Sequence, residues 1–219
     1  MDQETFVNDY LGKLTAKMAL CGLDPKTTLD IIYQGIDAMV KNDGKSTNEE
    51  VFWKRAVELN GEEILRHLPV FAEFYSRDFD SVKTVCGFEP AAAETVRNLK
   101  ERGFKVILAT NPFFPAVAIK LRLSWAGLEP EDFDLYTTYE NSCHCKPTLD
   151  YYRDILEHFG LQAEECVMVG NDVQEDMVAA QLGMKTFLLT PCLINRDGSD
   201  ISSYPHGAYP ELKAFLAEL

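Results

Sequence analysis

Positive charge is scarce in this sequence: 21 Lys and Arg stand against 35 Asp and Glu, for a formal charge of −14. So acidic a chain has no general attraction for nucleic acid or an anionic membrane surface, and an anionic ligand must be held by a local site. Long apolar runs are missing too, since none approaches the ~18 residues of a membrane span. The first residues, Met1-Asp2-Gln3-Glu4, lack the basic start of a secretory signal. Six cysteines, at 21, 86, 143, 145, 166 and 192, are not spaced as densely as in a disulfide-stapled scaffold. These absences predict a soluble, cytoplasmic protein with reduced thiols, binding neither nucleic acid nor membrane. Internal repeats and low-complexity tracts are also lacking.

Apolar residues make up 46% of the 219, enough for one sizeable domain, or one domain carrying a smaller insert. Residues 4 to about 85 show helical spacing and almost no alternation: Phe6, Tyr10, Leu11 and Leu14 share a face, as do Ile31, Ile32, Ile36 and Met39. Breaks at Gly22-Leu23-Asp24-Pro25 and Asn42-Asp43-Gly44-Lys45-Ser46 divide this part into three or four helices. After Phe88-Glu89-Pro90 the pattern changes. Helices are predicted over 91–102, 115–125, 148–159 and 174–182, and strands over 104–109, 135–138, 166–169 and 186–189. This alternation predicts an α/β fold with a mostly parallel sheet. Residues 191–210, rich in Gly, Pro, Ser and Asp, read as a surface excursion before a closing helix over 211–219.

In an open parallel sheet, ligands bind beyond the carboxyl ends of the strands, so the residues that follow each strand carry the chemistry. The first predicted strand runs into Thr110-Asn111-Pro112, a hydroxyl and an amide ahead of a helix N-terminus that favours an anion; the same residues are ordinary helix caps. In His144-Cys145-Lys146-Pro147, one lysine precedes a helix and can hold a phosphate as a point charge, although an exposed lysine usually does nothing. The third segment is Gly170-Asn171-Asp172-Val173-Gln174-Glu175-Asp176. Its two aspartates can converge on the strand's end and offer oxygen ligands suited to Mg²⁺, or form an acidic helix start.

Taken in order and in strand context, these three segments resemble the second, third and fourth motifs of the haloacid dehalogenase-like superfamily. The resemblance covers about residues 85 to 190. It implies a Rossmann-like hydrolase core over residues 86–219, its first central strand missing, and an α-helical cap domain over 1–85. By the same resemblance Thr110 binds the substrate's phosphoryl oxygens, with Asn111 beside it as a further substrate-binding candidate, and Lys146 neutralises nucleophile and phosphate. Asp172 and Asp176 would hold Mg²⁺, and the substrate would be a small phosphorylated metabolite. Asn171 stands where many members carry the first acid, so that Asp172 keeps a Gly-x-Asp version of the motif.

The family's first motif, Asp-x-Asp-x-Thr at the end of an apolar strand, supplies the aspartate that forms a covalent aspartyl-phosphate and a second one that acts as acid and base. Nothing in this sequence matches it. Asp2-Gln3-Glu4-Thr5 is one residue short in spacing and has no strand before it. The expectation is a Mg²⁺-dependent phosphatase that is N-terminally truncated, by on the order of fifteen residues of strand and loop, and so inactive or barely active. Its rivals are a non-catalytic binding or regulatory protein of the same fold and a haloacid dehalogenase; the paired acids argue for the phosphatase side. Cys143-His144-Cys145 has zinc-binding residue types but no second cluster to complete a site. The aromatics Phe71, Phe74, Tyr75 and Phe79, at helical spacing, read as packing.

Overall fold

The structure is a computed structural model that describes residues 3–219; Met1 and Asp2, including the first residue of the discarded Asp2-Gln3-Glu4-Thr5 reading, lie outside the described residues. Packing divides the chain into two compact units, Met1–His144 and Cys145–Leu219.

The first unit opens with helices whose ends are written in the sequence. Helix α1 (Gln3–Leu20) buries Phe6, Tyr10, Leu11, Leu14 and Met18. Asp24 caps α2 (Pro25–Val40) by accepting the Thr27 N–H at 3.1 Å, with Pro25 at the first helical position where its missing N–H costs nothing. A reciprocal cap starts α3 (Asn48–Asn60): the Thr47 hydroxyl accepts the Glu50 N–H at 3.2 Å, and the Glu50 carboxylate accepts the Thr47 N–H at 3.0 Å. Gly35 lets α2 and α3 approach closely, because a Cβ there would overlap the Phe52 ring. The short α4 (Leu68–Glu73) continues into a π turn and a 3₁₀ turn that end at Val85. Phe6, Tyr10, Phe74, Tyr75, Phe79, Phe114 and Trp125 then form one aromatic cluster with centroid spacings of 5.2–6.4 Å. The aromatics of 71–79 are packing residues, as their spacing predicts.

Beyond α5 (Pro90–Glu101) the chain reverses at Gly103, whose φ of +87° suits a residue without Cβ, and enters β1 (Ile107–Leu108). Helix α6 (Ala116–Trp125) leads to β2 (Leu135–Tyr136), which pairs with β1 in parallel, Ile107 opposite Leu135. The strand predicted over 104–109 is thus regular only at residues 107–108, where its ladder partner lies. Asp134 extends the junction by accepting the Val106 N–H at 2.8 Å and pairing with Lys100 at 3.0 Å.

The second unit holds α7 (Leu149–Phe159), β3 (Val167–Gly170), β4 (Lys185–Leu189), β5 (His206–Gly207) and α8 (Tyr209–Ala217). Its three strands are parallel in the order β3-β4-β5. Two expectations are corrected here. The helix predicted over 174–182 is a turn followed by a 3₁₀ helix at Met177–Leu182, since the Asp172 side chain takes the Gln174 and Glu175 N–H groups at 3.0 and 2.9 Å and replaces the first helical turn. The stretch 191–210 contributes β5 and packs Ile201 and Tyr204 against buried Val173, Met177 and Leu188, so it belongs partly to the core. Among the described residues, no helix is long and apolar enough to cross a membrane.

Candidate active site

The residues singled out by the sequence fall in both units. In the first, Thr110 and Asn111 follow β1 as predicted. The Thr110 hydroxyl lies 3.1 Å from the Thr137 carbonyl and 3.3 Å from its hydroxyl, and Thr137 donates in turn to the Thr110 carbonyl at 2.8 Å. This exchange laces the ends of β1 and β2 together. Helix α6 begins only at Ala116, so Thr110 and Asn111 are not its caps. An anion does sit at that N-terminus, and the chain supplies it: both oxygens of the Glu140 carboxylate accept the Ala116 N–H, at 2.9 and 3.0 Å.

In the second unit the structure brings Lys146, Asp172 and Asp176 together at the carboxyl end of β3, all three buried. Lys146 Nζ pairs with Asp176 Oδ1 at 2.6 Å and lies 5.7 Å from the centre of the Tyr151 ring. The other Asp176 oxygen, Oδ2, accepts the Asp172 N–H at 3.0 Å. Gly170 makes room for that carboxylate, since a Cβ at residue 170 would overlap it. Tyr152, buried beside the group, donates to the Glu175 carbonyl at 2.6 Å. Burial, and then the negative charge of Asp176, push its phenol above the usual range and keep it a neutral donor.

The sequence reading did not find Arg196. This residue of the 191–205 excursion reaches back to place Nη1 2.7 Å from Asp172 Oδ2 and Nη2 3.6 Å from Glu175 Oε1. Backbone bonds fix the approach: Ile194 N donates to the Asn171 carbonyl at 2.8 Å, and Val173 N to the Ile194 carbonyl at 2.9 Å. Asn171, which occupies the family's usual acid position, spends its side-chain amide on the Cys192 carbonyl at 2.6 Å. The one local signal for this arrangement was the amide-rich Asn171 and Gln174 beside the two acids; the Gln174 side chain bonds Asp197 at 2.6 Å and accepts the Arg196 N–H at 3.2 Å.

The first unit contains an Asp-x-Asp pair, Asp78 and Asp80, but it lies in helical turns and both acids have structural partners. Asp78 pairs with Lys17 at 3.0 Å and Asp80 accepts the Trp125 indole N–H at 2.7 Å. All six cysteines are among the described residues and form no disulfide. No three His, Cys, Asp or Glu side chains gather into a metal cluster among the described residues.

Magnesium, implied by the resemblance, can be tested against the donors. Asp172 and Asp176 offer oxygen only, which suits a hard cation that keeps several waters and takes one or two carboxylates. Asp172 Oδ1 is fixed by two N–H groups, while Oδ2 already faces positive charge, the Arg196 guanidinium. The residues therefore fit a divalent cation at Asp172 Oδ2.

The comparisons with known proteins agree on the class. The chain belongs to the haloacid dehalogenase-like hydrolases, whose family pattern matches residues 32–183. Pyrophosphatase PpaX of Bacillus cereus strain AH820 is 36% identical over 94 residues, and that of strain G9842 is 37% identical over the same length. In both cases the match spans 42% of this chain and 42% of the curated relative. The fold is shared with solved structures at low identity. A phosphatase of this superfamily from Thermococcus onnurineus matches 97% of this chain and 91% of its own, with a TM-score of 0.55 and 20% identity. A phosphoglycolate phosphatase, so described from prediction, from Haemophilus somnus matches 95% and 90%, with a TM-score of 0.57 and 16% identity. The Rossmann-like α/β fold expected from the sequence is the one these neighbours share.

Proposed function

We propose that this chain is the body of a Mg²⁺-dependent phosphatase for small phosphate monoesters in the cytoplasm, and that its nucleophilic aspartate comes from a strand that this sequence does not contain. Residues 1–85 would act as the substrate-selecting cap of a core formed by residues 86–219. The observation that carries the reading is the buried Lys146–Asp176 pair with Asp172 beside it at the end of β3. It supports a division of labour between the two acids. Asp172, through Oδ2, is the direct metal ligand, whereas Asp176 is the anchor that aims Lys146. Lys146 would neutralise the transferring phosphoryl group, with the Thr110 hydroxyl and Asn111 amide holding its oxygens. Bound Mg²⁺ would supply charge neutralisation at the phosphoryl oxygens.

A strand ending in Asp-x-Asp-x-Thr, joined ahead of residue 1, tests this directly. The extended chain is expected to hydrolyse a generic phosphate monoester, with pyrophosphate as a second substrate because of the named relatives, only when Mg²⁺ is present. Lys146→Ala is expected to remove that activity. No Mg²⁺-dependent turnover, or turnover that survives Lys146→Ala, sinks the assignment. A second reading, a non-catalytic binding protein of this fold, is favoured by one feature: both acids are already paired with cations of the chain itself.

A further inference from the structure

We propose that Arg196 is an internal counter-ion that occupies the cation position at Asp172 and must be displaced before a divalent metal binds there. The inference rests on the reading of Asp172 as the direct metal ligand, and its test separates the two.

The Asp172 carboxylate is divided between two tasks. Oδ1 takes the N–H groups of Gln174 and Glu175, at 3.0 and 2.9 Å, and these backbone bonds set the orientation of the side chain without help from Arg196. Oδ2 has the guanidinium at 2.7 Å. Asp172 is buried, with 6% of its side chain exposed, whereas Arg196 is 47% exposed and reaches in from the surface. A buried carboxylate needs a compensating charge, and a cation arriving from outside is the one that can be exchanged.

The excursion that carries Arg196 is held to the acidic loop by the Ile194–Asn171 and Val173–Ile194 backbone bonds and by Gln174 on the Arg196 N–H. The guanidinium therefore starts from a fixed point beside the acid. Glu175, 3.6 Å from Nη2, gives it a second seat, so that leaving Asp172 does not strand it without a partner. Because Oδ1 is locked by the backbone, removing Arg196 takes away a competitor and not a positioning group. The sign of the effect follows: metal affinity rises.

The experiment measures Mn²⁺ binding, by electron paramagnetic resonance and by the Mn²⁺-induced shift in melting temperature, for the wild-type chain, Arg196→Ala, Arg196→Lys and Asp172→Asn. Arg196→Ala is expected to bind Mn²⁺ roughly 1.5- to fivefold more tightly than wild type, the range a half-exposed ion pair corresponds to. It should also show the larger stabilisation by metal. Arg196→Lys, which keeps the charge, should stay near wild type and controls for damage to the loop. Asp172→Asn should lose the binding. If Asp172→Asn abolishes binding but Arg196→Ala leaves it unchanged or weaker, the counter-ion proposal is overturned and the metal reading stands. If Asp172→Asn binds Mn²⁺ as wild type does, or none of the four proteins binds it, the metal reading fails and the proposal fails with it.

Discussion

Lys146 carries a long, flexible side chain that most often lies in water, yet here it is buried against Asp176 with 6% and 7% of the two side chains exposed. Removing one member of such a pair leaves a desolvated charge behind, at a cost of about 3–5 kcal/mol. Lys146→Ala and Asp176→Asn are therefore each expected to lower the unfolding free energy by several kcal/mol in urea titrations. The double variant should cost clearly less than the sum, because it strands no charge. Additive losses would show that the two side chains do not depend on each other. At this scale the sequence was readable in part: Asp172 and Asp176 follow a strand and Lys146 precedes a helix, positions that can be counted along the chain. Arg196 was not readable, because a 3₁₀ helix, the strand β4 and the irregular chain after Leu189 separate it from Glu175, and its reach depends on their path.

Elements repeat the lesson with different forces. Gly35 lies inside α2, where glycine ordinarily costs about 1 kcal/mol relative to alanine. Its reason lies in the neighbouring helix, since Phe52 of α3 packs onto the bare backbone. Gly35→Ala should therefore destabilise, by about 1–3 kcal/mol from overpacking, and a Phe52→Leu background should recover much of the loss in thermal melts. Stabilisation by Gly35→Ala alone would refute the contact. The β1–β2 junction has an electrostatic counterpart in Asp134. The Val106 N–H, and then Lys100, hold its carboxyl below the ordinary carboxylate range. A depressed acid contributes stability above its unfolded pKa of about 4 and loses it as pH falls through the folded value. Asp134→Ala should then cost up to about 1 kcal/mol at pH 7, and the gap to wild type should narrow in denaturation curves as the pH falls below the unfolded value and through the depressed folded one. A gap that is constant with pH would rule out the charge as its source. The helix breaks at Gly22–Pro25 and Asn42–Ser46 were plain in the sequence, because such punctuation needs only residues within one turn, and the structure adds the caps at Asp24 and Thr47 beside them. The short β1 and the 3₁₀ helix at Met177–Leu182 were not, since a strand's length is set by its ladder partner and that helix by the side-chain turn at Asp172.

For the whole molecule, the two sheets carry the largest expectation. Among the described residues β3 is paired with β4 on one side only, and β1 with β2 alone, while Ile107, Leu108 and Val167–Gly170 are half-buried. A further strand would satisfy backbone groups worth roughly 0.5–1.5 kcal/mol each. The chain extended by an Asp-x-Asp-x-Thr strand is thus expected to melt several degrees above the 219-residue chain, and an unchanged melting temperature would count against pairing by that strand. The sequence by itself determined the α/β class, the helical character of residues 4–85, the positions of Thr110, Asp172 and Asp176 after strands and that of Lys146 before a helix. Each of these depends on periodicity or on spacing along a few residues. Only the tertiary structure decided how the carboxylates are used: Asp176 on Lys146, Asp172 on Arg196 and Glu140 on the start of α6. Those pairings join segments far apart in the chain, and the choice among possible partners is made by the fold that brings one cation or N–H group to within 3 Å of each acid.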